Sequence, residues 1–117
     1  MLRVILIYLC LGSTVMAKDL KSRYERISKM AKVSPFLVKA IARKESSEGA
    51  NTNHGDPTDA GVFGLNKASA ALFAKNRMGD KKLASYIKGL SNKEYRKWVD
   101  FNPEKVEQLV SLIIIDS

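Results

Sequence analysis

The sequence has a single cysteine, Cys10, and a single histidine, His54, so several kinds of chemistry are closed to it at the outset. One cysteine cannot make an internal disulfide or a thiolate metal cluster. One histidine leaves a Ser-His-Asp triad a single possible base, and no serine in a strand-to-helix turn stands ready to partner it. No stretch sustains the apolar-polar alternation of a half-buried strand, which argues against a β-sheet fold. Acidic residues are also few, 12 against 20 basic ones, so the net charge is +8. With 45% hydrophobic and 27% charged residues in 117, the composition is that of one folded domain and excludes a disordered tail or a collagen-like chain.

The apolar residues are concentrated at the start. Thirteen of the first 17 positions are hydrophobic and Arg3 is the only charged one, which gives a basic start and an apolar run from Val4 to Leu11. Small residues then lead to Val15-Met16-Ala17, the order that export and cleavage require. Residues 1–17 are therefore expected to be a signal peptide. A membrane span needs about 20 apolar residues. This run breaks at Gly12-Ser13-Thr14 and turns polar at Lys18, so an uncleaved anchor is the alternative. Cleavage after Ala17 removes Cys10, which follows Leu9 rather than a small residue and so makes a poor lipid acceptor. The mature chain, residues 18–117, is then a cysteine-free protein of net charge +7, periplasmic or extracellular, with no stable membrane span.

The mature segment reads as about six helices and one long loop, an all-α fold. From Asp19 to about Ala31, Leu20, Tyr24, Ile27 and Ala31 recur at helical spacing. Ser34 and Pro35 open a second helix as cap and first-turn residue. Its expected buried stripe is Phe36, Leu37, Ala40 and Ile41, and it should run to about Ser47 and stop at Gly49. Residues 49–64 are rich in Gly, Asn, Asp, Thr and Pro, too polar for a regular element, yet the run Ala60 to Leu65 returns to apolar character, so an ordered loop is expected. Helices should follow from Ala68 to about Arg77 and from Lys81 to Lys88. Ser91 and Glu94 have capping-box spacing for a fifth helix carrying Tyr95, Trp98 and Val99. Asn102-Pro103 opens a sixth, with Val106, Leu109, Val110 and Ile113 on one face. Leu112 to Ile115 are apolar all round and call for neighbours on every side. The aromatics Tyr86, Tyr95, Trp98 and Phe101 suit core packing.

Glu45 closes the second helix, four residues after Ile41 and eight after Leu37, so its carboxyl should project beside the apolar face. Burial there would favour the protonated acid, as a general acid working near neutrality needs, and the negative helix C-terminus pushes the same way. Glu48, three residues on, is expected to be a surface residue; the alternative is that it shares that face and adds like-charge repulsion.

The frame Ala40-Ile41-Ala42-Arg43-Lys44-Glu45-Ser46, followed by a glycine-rich loop and Gly61-Val62-Phe63-Gly64-Leu65, resembles the lysozyme-like family of lytic transglycosylases and goose-type lysozymes. The resemblance covers about Val33 to Met78. It implies a lysozyme-like helical domain in which Glu45 is the single catalytic acid and Ser46 the serine beside it. Gly64 and Leu65 match the start of a segment lining the sugar groove, where Asn66 and Lys67 replace the family's Met and Gln, so an ammonium stands in place of an amide. His54-Gly55-Asp56 is similar to the goose-type loop that holds a water-positioning Asp, with Asp56 and Asp59 as rival matches. The family's later Ala-Tyr-Asn segment is absent, so the domain is expected to be incomplete at its C-terminus.

The implied partner is the glycan strand of peptidoglycan, with no metal, cofactor or nucleic acid; a secretion, conjugation or phage apparatus that the protein serves is left open. With Asp56 and Asp59 only weak matches for a water-holding Asp, a transglycosylase is expected over an inverting hydrolase, whose two carboxyls stand about 6.5–9.5 Å apart. Two alternatives come from the same residues. One is an inactive wall-binding remnant of the family, drawn by charge to acidic wall polymers. The other is a helix-turn-helix over Ile27 to Val38, with Lys39 and Arg43 near DNA and Lys32 where a glycine is common.

Overall fold

The computed structural model describes residues 20–117, and the expected signal peptide lies outside them. Helix α1 covers residues 20–31 and buries Tyr24, Ile27, Ser28 and Ala31, the stripe its spacing predicts with one serine added. Lys32, at φ 55, turns the chain in the left-handed conformation that glycine takes most easily. Helix α2 is Pro35–Ser46, capped by Ser34, whose hydroxyl accepts from the Phe36 N–H at 3.2 Å.

The expected face of α2 is wrong. Phe36 is 82% and Leu37 47% exposed, whereas Val38, Ala42 and Ser46 face the core at a spacing of four. Periodicity allowed either stripe. The small side chains of Ala42 and Ser46 let the following loop come close, so packing selected the less hydrophobic one.

The loop forms a turn rich in side-chain bonds and a short antiparallel ladder, β1 (Asp59–Ala60) against β2 (Leu65–Asn66), with Ala60 opposite Leu65. Two residues per strand are too few to show as alternation. Helix α3 (Lys67–Asn76) starts from Asn66, whose side chain accepts from the Ser69 N–H. Helix α4 (Lys81–Gly89) is capped in the same way by Asp80. Helix α5 (Asn92–Phe101) has both halves of the capping box, at 3.1 and 3.0 Å. Helix α6 (Pro103–Ile115) buries Val106, Leu109 and Val110 as expected; Leu112 to Ile114 are half-buried and Ile115 is exposed. The six helices among the described residues make the fold all-α.

The core is centred on Ile27, Val38, Ile87, Tyr95, Val106 and Leu109, all fully buried. Tyr95 and Trp98 stack at 6.2 Å, but Tyr86 and Phe101, also expected inside, are exposed. Both are large apolar side chains on the outward faces of α4 and α5, where helical spacing alone does not reveal which side meets the core. One charge is buried with them: the carboxylate of Glu107 accepts from Arg23 at 3.1 Å and from Arg26 at 2.6 Å, fastening α6 to α1.

Candidate active site

Ser46, the last residue of α2, organises the site. Its buried hydroxyl donates to the Val62 carbonyl at 2.6 Å, also meets the Ala42 carbonyl, and accepts from the Gly49 N–H at 2.8 Å. One small side chain thus bonds the turn that leaves the helix and pins the loop across it. The chain leaves α2 through three consecutive residues with positive φ, Ser47, Glu48 and Gly49. The helix therefore stops before Gly49, at Ser46. Replacing Ser46 by alanine leaves the Gly49 N–H and Val62 carbonyl without this partner and should lower stability by about 1–3 kcal/mol, measurable by urea denaturation.

Glu45 sits at that helix end, and the desolvation expected of it does not occur: the residue is exposed. The reason is the rotation of α2, which turns Ala42 and Ser46 inward and leaves Glu45 at the rim. What does meet Glu45 is Gly64. A Cβ on Gly64 would lie 2.6 Å from Glu45 Oε2 and 3.2 Å from Glu45 Cβ, and Gly64 has φ +60. Both the close approach and the backbone conformation call for glycine. No hydrogen bond or ion pair among the described residues holds the Glu45 carboxylate.

Glu48 does not share the face of Glu45, because it lies past the helix end. It accepts from the Tyr24 hydroxyl at 3.1 Å and pairs with Arg43 at 3.7 Å. Burial, helped by this bond to Glu48, pushes the Tyr24 phenol up to about 12. The lysine and asparagine that depart from the family pattern have local tasks. Asn66 caps α3 and donates to Thr58 Oγ1 and Asp59 Oδ1, both at 2.9 Å, while the Lys67 ammonium donates to the Leu90 carbonyl at the end of α4. Leu65 is a core residue, 3% exposed.

Neither candidate aspartate is hydrogen-bonded to Glu45. Asp56 accepts from the Thr58 hydroxyl and N–H, which hold its carboxyl below the usual range, and Asp59 takes the Asn66 amide. The structure thus brings Glu45, Ser46 and Gly64 together and gives Leu65, Asn66, Lys67, Asp56 and Asp59 roles within the loop and its supports. Among the described residues, no three His, Cys, Asp or Glu side chains cluster as metal ligands would.

Three ties that hold the loop have no signature in the sequence beyond helical spacing. His54 Nε2 donates to the Gly61 carbonyl at 2.9 Å, so this histidine is half-buried in the loop. Phe63 packs edge-on against Tyr24 at 6.1 Å beneath the Arg23 guanidinium. The buried Tyr95 hydroxyl donates to the Leu65 carbonyl at 2.7 Å, and burial pushes its titration above that of an ordinary tyrosine. Tyr95→Phe keeps the ring and removes that hydrogen bond, which should lower stability by about 1 kcal/mol in a thermal melt. A cavity of about 420 Å³ is lined by Arg23, Glu48, Thr52, Gly61, Val62 and Asp100 among others; Glu45 is not in its wall. In comparisons with known proteins, the chain matches no family model, no curated protein and no solved structure.

Proposed function

We propose that this protein is a peptidoglycan lytic transglycosylase with Glu45 as its single general acid and base. The observation that carries the reading is the pairing of Glu45 with Gly64. An unpaired carboxylate at a helix end lies against a glycine in the left-handed conformation, and Ser46 pins the loop to that helix end. Both motifs that carry the family resemblance meet at this one point. Exposure of the carboxylate in the free protein leaves it open to a glycan, whose own rings would displace water when bound.

The reaction needs one proton moved twice. Glu45 in its acid form protonates the glycosidic oxygen between N-acetylmuramic acid and N-acetylglucosamine, and the bond from C1 to that oxygen breaks. The C6 hydroxyl of the same muramic acid then bonds to C1, and its proton returns to the Glu45 carboxylate. The products are a 1,6-anhydro sugar and a free 4-hydroxyl, with no water consumed. Asp56 and Asp59 are both engaged within the loop, which favours this route over one needing a water-holding carboxylate.

The test is chromatography with mass spectrometry of the sugars released from purified peptidoglycan by wild type and Glu45→Gln. Anhydro products from wild type alone support the proposal. Reducing-end products without the anhydro ring would move the protein to the hydrolases. Binding to peptidoglycan without release of any sugar would make it a wall binder.

A further inference from the structure

Residues 67–97 hold nine basic side chains and only two acidic ones, Asp80 and Glu94. Both acids are occupied at helix N-termini, Asp80 capping α4 and Glu94 closing the capping box of α5. Six lysines of this stretch, Lys75, Lys81, Lys82, Lys88, Lys93 and Lys97, are exposed and take part in no hydrogen bond or ion pair among the described residues. The other basic stretch, residues 20–46, also has five exposed lysines, Lys21, Lys29, Lys32, Lys39 and Lys44, and the exposed Phe36, but its three arginines are paired, Arg23 and Arg26 with Glu107 and Arg43 with Glu48, and its two acids, Glu25 and Glu45, are exposed among the lysines.

The lysines of α3, α4 and α5 are interleaved with large apolar side chains that the fold leaves in water. Leu72 is 54%, Tyr86 56% and Phe101 81% exposed. Each sits one helical turn from a lysine on its own helix: Leu72 three residues before Lys75, Tyr86 four after Lys82, and Phe101 four after Lys97. Helices α3 and α4 pack against each other, so the first two stripes belong to one helical hairpin.

We propose that the α3–α4 hairpin is a docking surface for an anionic lipid bilayer. The positive charge is complementary to lipid phosphates and is drawn to them within a Debye length. The apolar side chains decide between lipid and a soluble polyanion. A leucine gains nothing from a charged polymer, whereas the boundary between headgroups and acyl chains takes leucine, tyrosine and phenylalanine together with lysine. No described helix is long and apolar enough to cross a membrane, so the contact lies in the interface plane. This surface goes beyond the proposed reaction and does not include Glu45.

The test is flotation of the protein, recovered after expression of its full sequence, with vesicles of phosphatidylcholine alone or with about one third phosphatidylglycerol. Binding is expected only to the anionic vesicles and should weaken as salt is raised. Lys81→Glu/Lys82→Glu/Lys88→Glu should lower the partition coefficient roughly a hundredfold. Leu72→Ser/Tyr86→Ser should lower it about tenfold. Circular dichroism of each variant establishes that the helices are intact, and Glu45→Gln should bind as wild type does, which separates this surface from catalysis. Equal binding to neutral vesicles would overturn the proposal, as would an equal loss in Lys29→Glu/Lys32→Glu. Retention of wild-type affinity by Leu72→Ser/Tyr86→Ser, with full displacement by heparin, would overturn it in favour of a soluble polyanion.

Discussion

Under the proposed reaction, Glu45→Gln is expected to lower the release of anhydro sugar from peptidoglycan by about a thousandfold and to leave the melting temperature where it was. Positioned proton transfer contributes roughly 10²- to 10⁴-fold to such a reaction, and an amide of the same shape cannot supply the proton. The unchanged stability follows from the surroundings of Glu45. It is exposed, is held by no hydrogen bond or ion pair, and meets Gly64 through contacts that glutamine can repeat. Substitutions at such positions stay within about 0.5 kcal/mol. Rate and fold are therefore separable at this residue, and initial rates with a thermal melt on the same samples read both. A rate within a few-fold of wild type would remove Glu45 from the mechanism.

The largest loss of stability is expected from Glu107→Ala. Glu107 is 2% exposed and its carboxylate holds Arg23, whose side chain is only 12% exposed, together with the outer Arg26. Deleting the carboxylate leaves the Arg23 guanidinium in a dry place with no anion, which costs about 3–5 kcal/mol. A domain of this size has roughly 5–15 kcal/mol in all, so the melting temperature should fall by at least about 12 °C. The double change Arg23→Met/Glu107→Leu should recover most of that, because apolar side chains of similar volume replace a buried pair at little net cost. Failure of the double change to recover stability would show that the attraction outweighs desolvation at this site. Arg23 also lies over Phe63 in the loop. Any loss of activity in Glu107→Ala that exceeds its unfolded fraction would then measure how far the α1–α6 fastening also steadies the loop.

Much of the fold was readable because caps and periodicity are local. Ser34 with Pro35, Ser91 with Glu94, and Asn102 with Pro103 announce three helix starts through bonds or backbone angles that span only a few residues. The stripe of α1 and most of that of α6 were legible for the same reason, since a face with one good apolar set has one way to turn. At α2 there were two competing sets, and Phe36 with Leu37 is the more hydrophobic. The structure nonetheless buries Val38, Ala42 and Ser46. No count of apolar residues reveals this, because the choice was made by the backbone of residues 61–64 approaching the helix, and only small side chains admit it. The same turn of α2 put Glu45 on the rim and not in the interior.

The sequence by itself determined how three of the helices begin, and it set out the pattern on which the proposal rests: a glutamate before a serine, a glycine-rich return, and a chain of amphipathic segments. Only the tertiary structure decided that Gly64 stands against Glu45, that Tyr95 and His54 brace the loop, and that the lysines of α3 to α5 share their outward faces with Leu72, Tyr86 and Phe101. The physical reason is range. Caps and helical periods act over a turn or two of chain, whereas the contact of residue 45 with residue 64, or of 65 with 95, exists only once distant helices have excluded water between them.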